Sequence, residues 1–149
     1  MRVFADRLLG IMEKNTRDIA VNWAKDVMKN PKTPSFHSMT QEQCINYAID
    51  FYKNFINIYF ESRPYPKQEA YFSSYAERRY REGIPLHEAI YALIMMRRHL
   101  WLYAEMQAIF MSPMDQYQAV ETLTKTIRLF DSGIYTITKR YQELAAQAG

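Results

Sequence analysis

SPMDQYQAVETLTKTIRLFDSGIYTITKRYQELAA, residues 112–146, is the stretch on which the fold turns. Val120, Leu123, Ile127, Phe130, Ile134, Ile137, Tyr141 and Leu144 follow one another at alternating spacings of three and four. That is an a/d seam sustained over more than three heptads, the period of a helix that buries one stripe. Its start is marked: Ser112 can cap, Pro113 suits the first helical position, and Asp115 places an acid in the first turn. A helix from Pro113 to about Ala146 is expected. The same residues would serve packing against a central helix or pairing with a second subunit, and both uses stay open at this point.

Upstream, Pro85 to Met111 reads as the least polar helix, with Glu88, Arg97, Arg98 and Glu105 as its charges. Its run Ala89–Met96 is expected to be buried nearly all round, as the central helix of a bundle. That run is the longest apolar one in the chain, far short of the ~20 residues a membrane span needs, so no membrane insertion is expected. Gly83 suits a left-handed helix cap and Pro85 a first turn. Before them comes a helix from about Lys67 to Glu82, behind the linker Arg63-Pro64-Tyr65-Pro66.

Thr40 and Gln43 form a capping box that opens a helix expected to reach about Ser62. Cys44, Ala48, Phe51, Phe55 and Ile58 make one stripe on it, and Ile45, Ile49, Tyr52, Ile56 and Tyr59 a second beside it. Two adjacent stripes give a wide apolar face. The first segment, Arg2–Asn30, is helical, with Phe4, Leu8 and Ile11 on one face and Ile19, Trp23 and Val27 on another. A break near Asn15 separates them, and Asn30-Pro31 ends the helix.

Composition agrees with this reading. The chain has 149 residues, 48% of them hydrophobic, with only 4 Gly and 6 Pro. Few breaks in such a length favour long helices over many short strands. The expectation is one all-α domain spanning residues 1–149, a bundle of about five or six helices. A net charge of +3 is too small an imbalance for nucleic-acid binding. The lone cysteine, Cys44, rules out an intrachain disulfide and a cysteine-based zinc cluster. A reducing, cytoplasmic setting fits that usage, and the early charges Arg2, Asp6 and Arg7 do not make a signal peptide.

The stretch Arg78-Arg79-Tyr80-Arg81-Glu82-Gly83-Ile84-Pro85-Leu86-His87-Glu88-Ala89-Ile90-Tyr91-Ala92-Leu93, followed by Arg97-Arg98-His99-Leu100-Trp101, resembles the N-terminal domain of RsbR-type stressosome proteins and related sensor kinases. That family is the non-haem globin domain. The resemblance implies a globin-like bundle, usually dimeric, that senses an input and hands it through its last helix to an output domain or signalling partner. Haem-binding sensor globins have a similar turn with a proximal histidine four residues before the glycine. Here that position is Arg79, which cannot ligate iron. No cofactor is therefore expected.

The residues that could carry chemistry are few. His37 is in a loop, and His87 and His99 lie 12 apart on one helix, about 18 Å by helical rise. They cannot share a metal within one subunit. His99 is either a structural residue or a ligand or proton-sensing contact. Arg78, Arg79, Arg81, Arg97 and Arg98 are either a solvated, ion-paired face or a site for an anion. Tyr and Phe number 12 and 8, mostly core residues, with a few available to line a pocket for a flat ligand. Cys44 sits on an apolar stripe, a position for a small hydrophobe rather than an activated thiol. No glycine-rich phosphate loop exists.

The expectation is thus a non-enzymatic bacterial signalling input domain, homodimeric, without catalytic or metal-binding residues. Its ligand-contact candidates are Arg79, His99, Arg98 and Tyr103, and its dimer or signalling helix runs through Leu123, Ile127, Phe130, Ile134, Ile137 and Tyr141. The rival is a carrier of haem or another flat apolar cofactor, held through His99.

Overall fold

The computed structural model describes residues 2–106 and 113–149, with side chains described for 5–104 and 117–149. Five α-helices carry the fold: α1 (Arg2–Val27), α2 (Gln41–Ile58), α3 (Pro66–Arg81), α4 (Leu86–Met106) and α5 (Pro113–Ala148). A 3-10 turn at Pro34–Phe36 lies between α1 and α2, and no strand occurs among the described residues. The all-α class and helix number expected from the sequence hold. The Ser112 cap and the expected end of the central helix at Met111 lie outside the described residues.

Local chemistry sets the boundaries. α1 kinks at Asn15 (φ −123°, ψ 22°), whose side-chain amide donates to the Ile11 carbonyl at 2.9 Å. A polar side chain that bonds the preceding turn competes with the helical ladder. α1 stops at Val27, three residues before the expected Asn30, because the buried Thr33 hydroxyl donates to the Val27 carbonyl at 2.7 Å. The capping box is present in both directions: Gln43 N–H donates to Thr40 Oγ1 at 3.1 Å and Thr40 N–H to Gln43 Oε1 at 3.0 Å. α2 ends at Ile58 rather than Ser62, since Glu61 turns away to receive the Lys67 and Gln68 N–H groups that open α3. At the far end of α3, Gly83 takes φ +77°. Its N–H donates to the Tyr80 carbonyl and that of Ile84 to the Arg79 carbonyl, the paired bonds of a Schellman cap.

α1 packs chiefly on α2 and α4, and α3 on α5. α4 is tied to its neighbours through its own backbone. Trp23 Nε1 donates to the Ala92 carbonyl at 3.0 Å, Tyr52 Oη to Met96 at 2.7 Å and Tyr75 Oη to Ala89 at 3.3 Å. These three acceptors sit one helical turn apart, so aromatic groups from α1, α2 and α3 converge on one face of α4. The Ala residues there let large rings approach the helix closely. Phe36 of the 3-10 turn closes this region edge-on against Trp23, with ring centroids 6.1 Å apart.

One expectation for α4 needs correcting. Ala89, Ala92, Leu93, Met95 and Met96 are buried, but Ile90, Tyr91 and Ile94 are only partly so. The helix is central on one side and open on the other.

Candidate functional site

The open side of α4 is mainly apolar, interrupted by His87 and Arg98. Leu86, Ile90 and Ile94 recur at four-residue spacing, and Trp101 and Leu102 extend the same sector of the helix. From Leu86 to Leu102 the stripe rises about 24 Å. Leu123 and Ile127 of α5 join it at the Trp101 end, each 37% exposed, with Leu102 at 46%. Arg97, Arg98, Trp101, Leu102, Leu123 and Ile127 together line a depression of about 300 Å³. A second depression, of about 500 Å³, lies over Leu86, His87, Ile90, Tyr91 and Ile94. Leu86, Ile90 and Ile94 are partly exposed, and Leu102, Leu123 and Ile127 more so.

The α5 seam divides at this surface. Phe130 and Ile137 are fully buried and Tyr141 nearly so, while Val120 is 63% exposed. Ile134 is half-buried against the core. Phe130 lies between Phe51 and Phe55 of α2, at centroid distances of 5.6 and 5.8 Å. Tyr141 donates to the Ile84 carbonyl at 2.8 Å and meets Tyr80 edge-on. The later seam residues are therefore committed within the chain, and Val120, Leu123 and Ile127 are the ones left at the surface.

The four ligand-contact candidates are not brought together. Arg79 is 3% exposed. Its guanidinium stacks 3.9 Å from the Tyr47 centroid and 5.0 Å from that of Tyr75, and its Nε donates to Glu82 at 2.7 Å. Burial raises the Glu82 carboxyl above its ordinary value. His99 Nε2 lies 2.8 Å from Asp26 Oδ2, which joins α4 to α1. Arg98 is exposed and reaches the Tyr91 hydroxyl at 3.4 Å. Tyr103 lies one turn beyond His99, partly exposed.

The other basic residues sort by partner. Arg78 meets Asp50 at 3.4 Å and Arg81 meets Glu77 at 3.6 Å. Glu77 also receives Arg140 at 3.0 Å, linking α3 to α5. Arg97 lies 5.7 Å over the Phe130 ring. The Arg78–Arg81 group is thus a framework of internal ion pairs, whereas Arg97 and Arg98 border the open apolar face.

Groups suited to covalent chemistry are sequestered or apart. Cys44 is fully buried, which pushes its thiol up to about 11. His37 Nε2 lies 2.8 Å from the Asn30 carbonyl. Among the described residues no histidine is bonded to a hydroxyl or thiol, and no cluster of His, Cys, Asp or Glu could hold a metal ion. None of the described helices is long and apolar enough to cross a membrane.

Sequence reasoning missed Leu86, Ile90 and Ile94 as surface residues because a continuous apolar run carries no facing information. The signal available was the parallel stripe His87, Tyr91, Arg98 and Leu102, which mixes polar tips into one side of the helix.

No protein family, curated protein or solved structure matches this chain.

Proposed function

We propose that this domain is a non-enzymatic bacterial signalling input module, globin-like in its helical arrangement, that acts in the cytoplasm as a homodimer formed across the α4–α5 face. One observation carries this reading: the stripe from Leu86 to Leu102, with Leu123 and Ile127, is left open in a fold that buries its other large apolar clusters. The motif from Arg78 to Trp101, with its resemblance to the RsbR-type sensor domain, supports it. A second copy of the same chain is a suitable occupant, because a two-fold axis supplies each apolar stripe with an identical one. An antiparallel crossing at Ile94 would set Arg97 opposite Tyr91 and Leu102 opposite Leu86. Arg97 then meets a ring and Arg98 meets Ile90, so the cations do not face one another.

The mechanism follows from the split seam. The first half of α5 belongs to the intersubunit face, and its second half is locked to α2, α3 and the turn at Ile84. A change in packing at the face is thereby carried along one helix to the C-terminal end, where an output domain or partner protein would receive it.

Sedimentation equilibrium tests this. The chain should associate reversibly, and Leu123→Glu with Ile127→Glu should yield monomers with unchanged helical circular dichroism. A folded double variant that remains dimeric would refute the assigned face. The rival reading, a haem carrier, finds no support at its own residues: Arg79 is tied to Glu82 and two tyrosines, and His99 Nε2 is engaged by Asp26.

A further inference from the structure

On the other side of α5 from Leu123 and Ile127 lies a cavity of about 580 Å³, walled by the α2–α3 connection and the first half of α5. Its size is that of a site for a small organic molecule. The floor is apolar, formed by Tyr59 and Leu129, with Val120 at the edge.

Three features say what it would hold. Gln68 lines the cavity and is only 7% exposed, yet its side-chain carboxamide has no hydrogen-bond partner among the described residues; only its backbone N–H is used. Its carboxamide atoms are not sealed from solvent, so they can bond a molecule held in the cavity. Next, one acid of this wall is held in place by the helix it caps. Both oxygens of Glu61 accept from the first turn of α3, at 2.6 Å from Lys67 N and 3.0 Å from Gln68 N. Last, Arg63 and Arg128 line the same cavity, and neither forms an ion pair with a carboxylate among the described residues. Lys125 adds a third cation, its Nζ 4.6 Å over the Tyr59 ring and 4.7 Å over that of Phe60. Glu121 is the one other acid in the lining. Three cations, Arg63, Lys125 and Arg128, against two acids, Glu61 and Glu121, leave the lining with a net positive charge.

We propose that this cavity binds a small organic carboxylate with a compact apolar body. The carboxylate lies between the Arg63 and Arg128 guanidiniums, whose planar forks match it, and takes a further hydrogen bond from the Gln68 amide. The apolar body rests on Tyr59 and Leu129. This site does not rest on the dimer reading: Leu123, Ile127 and the α4 stripe do not line it, and Val120 is the one exposed seam residue that does.

Isothermal titration calorimetry of the full chain tests the assignment with 4-phenylbutyrate, its cationic isostere 4-phenylbutylamine, and inorganic phosphate. Saturable one-to-one binding of 4-phenylbutyrate is expected, with the amine and phosphate each at least tenfold weaker. Arg128→Glu, at an exposed position, should weaken 4-phenylbutyrate at least tenfold, and Gln68→Leu should weaken it several-fold, both with unchanged circular dichroism. Should Gln68→Leu fail to fold, Arg128→Glu decides alone. Leu123→Ser, on the opposite face, should leave the affinity unchanged, which keeps this outcome separate from dimerisation. Equal binding of acid and amine, phosphate binding as tight as the carboxylate, an unaffected Arg128→Glu variant, or no saturation in the millimolar range would each overturn the proposal.

Discussion

A Cβ on Gly133 would lie 2.6 Å from Cζ of Phe72 and within 2.9 Å of two further ring atoms. Gly133 sits in the middle of α5, a 36-residue helix where glycine is otherwise a liability of about 1 kcal/mol relative to alanine. The ring of Phe72 occupies the space that a side chain would fill, which lets α3 press against the α5 backbone. Phe72 is itself buried beside Tyr71 and cannot swing away freely. Gly133→Ala should therefore destabilise the fold by about 1–3 kcal/mol despite its better helix propensity. Urea denaturation measures this, and adding Phe72→Leu should restore much of the loss. A more stable single variant would show that α3 and α5 can separate at no cost.

The aromatic donors on α4 give a second test. Tyr52 Oη reaches the Met96 carbonyl at 2.7 Å from a fully buried position. Tyr52→Phe keeps the ring and removes only that bond, so a loss of about 1 kcal/mol is expected by denaturant midpoint. No change in midpoint would mean that packing of the ring alone holds α2 to α4.

Alkaline stability follows from buried acids that keep their protons. Burial lifts the Cys44 thiol from 9.0 to about 11. Burial likewise raises Tyr52, Tyr59, Tyr71, Tyr75 and Tyr141 above the ordinary 10.0. Below about pH 8 these groups are protonated in both states and contribute no slope. Above it the unfolded chain releases protons that the folded chain retains, so stability falls as pH rises. Thermal melts at pH 7, 8 and 10.5 should give nearly equal midpoints for the first two and a clear drop at the third. Iodoacetamide should modify Cys44 at pH 8 only as fast as the protein opens. Rapid alkylation of the folded protein would contradict the burial of that thiol.

Much of this architecture was legible because it is written in local chemistry. The capping box at Thr40, the Asn15 break and the cap at Gly83 each involve residues within a few positions of one another. The faces of α4 were harder, since Ala89–Met96 is apolar throughout and its open stripe emerges only when the packing of α1, α2 and α3 is known. Pairings over long sequence distances left no signal at all. Glu61 caps a helix six residues downstream, Asp26 finds His99, and Ser35 donates to both oxygens of the buried Glu88 at 2.7 Å. The cavity at Gln68 is of this kind: its wall includes Arg63 and Tyr65, from a stretch that in sequence reads merely as a linker.

Two residues of one seam should respond in opposite ways to truncation. Phe130 is fully buried between Phe51 and Phe55, so Phe130→Ala empties a core position and should cost about 3–5 kcal/mol at any protein concentration. Ile127, one turn earlier, is 37% exposed beside Leu123 and Trp101. Ile127→Ala removes little intrachain packing and should cost about 1 kcal/mol or less in dilute protein. If the α4–α5 face joins two copies, the melting temperature of the unsubstituted chain rises with its concentration by mass action, and Ile127→Ala flattens that dependence. Calorimetry across a hundredfold concentration range reads both effects together. A melting temperature independent of concentration in the parent chain would leave the exposed half of the seam without a second copy to cover it.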